Sequence, residues 1–140
     1  MILLVYEKQI RIYIPLTEIN NMKILSSKVH GILDYLTVVF LFVAPTLFKM
    51  EGTLCTFTYA LACIHFLLTA LTDFEVGIFK VIPFRIHGLI EMVVSVALIA
   101  AAFWFNSKGS ELGFYFYIGL AAVILIVFLL TNFKGSPNIA

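Results

Sequence analysis

Charge is scarce in this chain. Only 12% of its 140 residues are Asp, Glu, Lys or Arg, about half the roughly 25% of a soluble domain. The basic residues are scattered and the net charge is +1, so no basic patch is offered to nucleic acid and no such partner is expected. Cysteine is nearly absent: Cys55 and Cys63 share one apolar segment, at a spacing that fits neither a CxxC redox motif nor a zinc site. Both read as small buried apolar residues. A Ser/His/Asp arrangement and a phosphate loop are also missing. An enzymatic activity is therefore not expected, and no cofactor is required. What is present is apolar, at 62% of the residues. A soluble domain of this size leaves too much surface in water to hide that share, so the natural solvent is a lipid bilayer.

A spanning helix needs roughly 20 mostly apolar residues. Four segments qualify: residues 27–48, 53–72, 84–105 and 112–130. The connections KMEG, DFEVGIFKVIP and NSKGSE carry the Gly, Pro, Asn and charge that interrupt helices. Ser27 suits the cap of the first helix, and Pro83 the start of the third. Lys8, Arg11, Lys23, Lys28, Lys80, Arg85 and Lys134 fall on one side, against Lys49 and Lys108 on the other. The positive-inside rule then puts both termini in the cytoplasm. The expected fold is all-α, a four-transmembrane-helix bundle over residues 27–133 with a short cytoplasmic tail at 134–140.

Residues 1–26 read as an N-terminal extension. Its start lacks the basic region and cleavage site of a signal peptide and is too short to span, while Gln9 to Ile14 alternates like a strand. MKILSSKVHG, from Met22, also reads as a natural beginning, which would make residues 1–21 an upstream extension.

The sequence repeats itself. VHGILDYLTVVFLFVAPTLF (29–48) aligns with IHGLIEMVVSVALIAAAFWF (86–105), pairing His30 with His87, Gly31 with Gly88 and Asp34 with Glu91. LTDFE at 71–75 rhymes with LTNFK at 130–134. The chain thus reads as two tandem two-helix repeats, 27–75 and 84–134. Two spans per unit make the repeats parallel, related by an axis along the membrane normal. Residues i and i+4 share a helix face, so His30 with Asp34, and His87 with Glu91, form vertical pairs near the cytoplasmic end. Asp73, Glu75 and Asn132 end their helices at the same level. A second stripe, Thr58, Ala62, His65, Thr69 and Thr72 or Asp73, reads as interior, with His65 near the bilayer centre, where a polar group needs a partner.

Several readings of this layer stay open. Polar side chains bond across helices in lipid, so the layer can simply lock the bundle, as in a structural or assembly protein. Imidazole beside carboxylate also suits binding or relaying a proton, an ion or a small polar ligand, with His30, Asp34, His87, Glu91, Asp73 and His65 as candidates. His30, His87, Asp34 and Glu91 are acceptable ligands for a divalent metal. A haem clamped between His30 and His87 is a third class. Four short helices leave little room for a pore, so transport would need a homo-oligomer.

HGILDYL followed by APTLF, then LTDFEVG, IP and a second H-x-x-x-acid helix resembles small prokaryotic membrane proteins of the SPW-repeat type. The resemblance covers roughly residues 29–133. It implies duplicated two-helix units in a prokaryotic inner membrane and implies no activity. The Pro-Trp signature of those proteins is split here, with Ala44-Pro45-Thr46 lacking Trp and Ala102-Phe103-Trp104 lacking Pro. Trp104, with Phe103, Phe105, Phe114, Tyr115 and Tyr117, reads as an aromatic belt at the outer interface.

Overall fold

The computed structural model describes residues 23–134. The strand-like Gln9 to Ile14, the proposed extension up to Met22 and residues 135–140 of the tail lie outside the described residues.

Four helices form where the apolar runs fall: α1 (Ser27–Leu47), α2 (Gly52–Leu71), α3 (Phe84–Ser107) and α4 (Glu111–Leu130). Each is long and apolar enough to cross a membrane, so the chain is a multi-pass integral membrane protein. In lipid a helix satisfies its own backbone, which is why long apolar runs become helices and nothing else. Ser26, rather than Ser27, caps α1, its side chain accepting from the Val29 N–H at 3.3 Å. Ser110 does the same for α4 through the Gly113 N–H at 3.1 Å. Pro83 precedes the first turn of α3 as its N-cap. Pro45 lies in the last turns of α1, and α1 ends two residues later. The α3–α4 turn needs a left-handed residue and has Gly109 there, at φ 80°.

The packing is inside out relative to a soluble bundle. Leu36, Val39, Val43, Val93, Val96 and Leu129 face outward, while Thr58, Thr69, Thr72, Ser95 and Thr131 are buried, as are the three histidines. Ala44, Ala62, Ala102 and Ala121 are also buried, and such small residues let helices approach closely where no hydrophobic effect drives them together. The tight pairs are α1 with α2 and α3 with α4.

At the end where α1 and α3 begin, called basal below, two short pairings finish the helices. Strands β1 (Thr72–Asp73) and β2 (Ile82–Pro83) pair in parallel, Thr72 opposite Ile82. Leu25 makes a matching parallel bridge to Thr131. Loop N–H groups of Ile78 and Phe79 bond the Ala70 carbonyl, both at 2.9 Å, and that of Val81 bonds Leu71 O at 2.8 Å. These bonds satisfy carbonyls that the end of α2 would otherwise leave open.

At the apical end Tyr117 and Phe105 are buried, stacked with centroids 5.4 Å apart. The Tyr117 hydroxyl lies 2.6 Å from Thr58 Oγ1, whose own hydrogen goes to Leu54 O at 2.8 Å. Tyr117 is therefore the donor. The expected aromatic belt thus loses two members to the core and keeps Phe103, Trp104 and Tyr115 outside. Tyr117 turns inward because only the interior supplies an acceptor for its hydroxyl. The cysteines differ from expectation too: Cys63 is exposed and Cys55 half-buried. A thiol facing hydrocarbon costs little, so lipid accepts it as readily as a core does.

Candidate metal centre

His30 sits one turn into α1 and Asp34 one turn further. His87 and Glu91 repeat this placement on α3. Gly31 and Gly88 follow the histidines, and a Cβ added at Gly88 would stand 2.7 Å from Phe133 Cζ. The absent side chains let Phe74 press on Gly31 and Phe133 on Gly88. Phe84 completes an aromatic cap, 5.2 Å from the His30 ring and 4.8 Å from that of Phe133, centroid to centroid. The histidines are consequently sealed at the basal end, and both are 0% exposed.

The four side chains meet at one point. His30 Nε2 lies 3.3 Å from His87 Nε2. The shorter ion-pair distances are crossed, His30 Nε2 to Glu91 Oε2 and His87 Nε2 to Asp34 Oδ2, each 3.2 Å. The expected vertical pairs, His30 with Asp34 and His87 with Glu91, are both longer at 3.5 Å. One ligand atom from each residue falls within 4.8 Å of all the others.

The outer ring nitrogens decide which way the lone pairs point. His87 Nδ1 is 2.7 Å from Thr72 Oγ1, and His30 Nδ1 is 2.8 Å from Thr131 Oγ1. Each hydroxyl has one hydrogen, and each donates it at 2.6 Å to the carbonyl four residues back, Leu68 O or Val127 O. The threonine oxygens must then accept, and each Nδ1 carries the proton it donates. In a neutral ring the inward Nε2 is left as a lone pair. Two lone pairs and two carboxylates converge on one point, while Asp34 Oδ2 and Glu91 Oε2 receive no hydrogen bond among the described residues. A buried centre of this composition calls for positive charge.

The remaining candidates separate. His65 is buried on α2, 6% exposed, and its Nε2 has no hydrogen-bond partner among the described residues. It lies six residues from the end of α2, roughly 9 Å at 1.5 Å per residue, and it lines the same chamber as Asp34 and Glu91. Asp73 does not join the cluster: it is exposed, because β1 is extended and alternate side chains point opposite ways, burying Thr72 instead. Glu75 accepts from Ser27 Oγ at 2.9 Å in an exposed contact, and Asn132 Oδ1 accepts from the Lys134 N–H at 3.1 Å. Neither reaches the histidines. The sequence reading missed Thr131 as a partner, although LTD against LTN aligns it with Thr72. A haem does not fit between His30 and His87, since Nε2 atoms 3.3 Å apart leave no space for a macrocycle.

No protein-family model matches the chain, and neither a curated protein nor a solved structure matches it.

Proposed function

We propose that this chain is a membrane metal-binding protein, built of two parallel two-helix repeats with both termini cytoplasmic. Its buried His30/Asp34/His87/Glu91 cluster holds one divalent, four-coordinate transition-metal ion of the zinc class. One observation carries this reading. Ligands at about 2.0–2.1 Å around a tetrahedral ion stand roughly 3.3–3.4 Å apart. The separations among His30 Nε2, His87 Nε2, Asp34 Oδ2 and Glu91 Oε2 include 3.2, 3.2, 3.3 and 3.5 Å. His87 Nε2 also lies 3.5 Å from the second Glu91 oxygen, Oε1, and one ligand atom from each of the four residues lies within 4.8 Å of the others. Two imidazoles and two carboxylates are ligands that suit zinc or iron, and a dipositive ion cancels the two carboxylate charges, leaving a neutral centre for the bilayer. Threonines bonded to both Nδ1 atoms are the outer partners that metal-ligating histidines need.

The rival reading is a lock in which protonated histidines pair with the carboxylates. It is disfavoured by distance, because charge-assisted N–H···O bonds run about 2.7–2.9 Å, shorter than any pair here. It would also face two imidazolium rings at 3.3 Å.

The duplication is supported by contacts that come in twos: His30–Thr131 with His87–Thr72, Leu25–Thr131 with Ile82–Thr72, and Gly31–Phe74 with Gly88–Phe133. The Lys and Arg distribution supports cytoplasmic termini, and the likeness to SPW-repeat proteins supports a prokaryotic inner membrane. The test is metal analysis and zinc titration against a competing chelator, using the full chain in detergent micelles. One ion per chain is expected, and His30→Ala with His87→Ala should abolish it. Wild-type protein that takes up no zinc, cobalt or iron would sink the reading.

A further inference from the structure

A small, partly open chamber lies beside the cluster, lined by Asp34, Thr37, His65 and Glu91 and by Leu33, Val123, Ile124 and Val127. Its volume is about 10 Å³, close to the roughly 10–15 Å³ that one water needs. His65 Nε2, like Asp34 Oδ2 and Glu91 Oε2, is a buried polar atom with no hydrogen-bond partner among the described residues, and a polar atom so placed in lipid is costly. A water needs two to four polar partners. The chamber offers the His65 ring, the two carboxylates and the Thr37 hydroxyl. That hydroxyl gives its own hydrogen to Leu33 O at 2.9 Å, so it accepts.

We propose that His65 is a positioning residue of the metal centre, acting on the Asp34 and Glu91 carboxylates through a single water held in this chamber. The proposal rests on the metal reading above and deepens it. Charge excludes a second metal ion as the occupant. Two dipositive ions against two carboxylates would leave a net charge of about +2 in the hydrocarbon, which is far costlier than a neutral water. Direct ligation by His65 is also excluded, since its nitrogens are not among the atoms that converge within 4.8 Å. The water then does for the carboxylates what Thr72 and Thr131 do for the imidazoles. Ligating carboxylates are themselves held by hydrogen bonds, and loss of such partners weakens binding about 10–100-fold.

On this arrangement the α2 histidine ties the third element to the centre. The two α1–α3 pairs and the two threonines come from the helix starts and ends. His65 approaches the carboxylates from the flank, on α2. The chamber shares Leu33, Thr37, Val123 and Val127 with a lipid-facing groove of about 450 Å³ between α1 and α4.

The test uses the full chain in micelles, with zinc for affinity and cobalt for the visible spectrum. His65→Phe fills the chamber and removes the hydrogen-bonding nitrogen. It should still bind one ion per chain, but 10–100-fold more weakly, with a shifted cobalt spectrum. His65→Gln restores a polar group at the chamber and should recover affinity to within a few-fold. Unchanged zinc affinity and cobalt spectrum in His65→Phe would overturn the role of His65 while leaving the metal site standing. A wild-type protein that binds no ion would overturn both readings. Should His65→Phe not fold, a crystal structure of the zinc-loaded wild type decides: an ordered water bonded to His65 Nε2 and a carboxylate supports the proposal, and a dry chamber overturns it.

Discussion

Thr72→Val is the sharpest perturbation of the proposed centre, because it changes no ligand. Valine keeps the shape of threonine and removes the oxygen that accepts from His87 Nδ1 at 2.7 Å. The ring then has two poor choices. It can keep its Nδ1 proton as an unpaired buried donor, costing about 1–3 kcal/mol. Alternatively it can move the proton to Nε2, where it blocks the ion. Either way the cost falls on the metal-bound state. At about 1.4 kcal/mol per factor of ten, roughly 1.4–2.8 kcal/mol weakens zinc binding 10–100-fold, the range found for lost outer partners. Thr72→Ser keeps the hydroxyl and should bind within a few-fold of wild type. Thr69→Val is the matched control: Thr69 makes the same bond back to its helix, to His65 O at 2.8 Å, but no bond to a ligand histidine. Zinc affinity by chelator competition is the readout for all three. If Thr72→Val binds zinc as wild type does, the tautomer argument is wrong, and with it the reason for placing both lone pairs at the centre.

Gly88→Ala should drive its new methyl into the Phe133 ring, costing about 1–3 kcal/mol as overpacking does, seen as a lower Tm and looser zinc binding because the aromatic cap shifts. Tyr117→Phe should lose only the bond to Thr58, about 0.6 kcal/mol for a typical interhelical bond in lipid, with zinc affinity unchanged; a large loss of zinc would mean the two ends of the bundle are coupled. Zinc affinity should fall as pH is lowered from about 8 to about 5, because protons and the ion compete for the same Nε2 and carboxylate atoms; the sign is fixed by that competition, and an affinity rising toward low pH would contradict it. Saturating zinc at about 100 times its Kd should stabilise the protein by about 2.7 kcal/mol, read as a raised Tm in wild type and no shift in the His30→Ala, His87→Ala double variant.

Much of this protein was open to reading along the chain alone. Membrane residence, four helices and their bounds to within a residue or two follow from the apolar runs, because hydrocarbon leaves the backbone no partner but itself. The matched pairs His30/Asp34 and His87/Glu91 were equally visible, since helical spacing alone puts each pair on one face. What the tertiary structure decided is how those faces meet. Spacing along one helix cannot say that the shorter distances cross from α1 to α3, that Asp73 turns outward where β1 begins, or that Tyr117 turns inward to Thr58. Nor can it say that Thr72 and Thr131 come to rest on the outer nitrogens of histidines from the opposite helix pair. The reason is that periodicity orients a side chain about its own helix axis, whereas a binding site depends on distances between axes, which only the packed helices and their two terminal β-pairings determine.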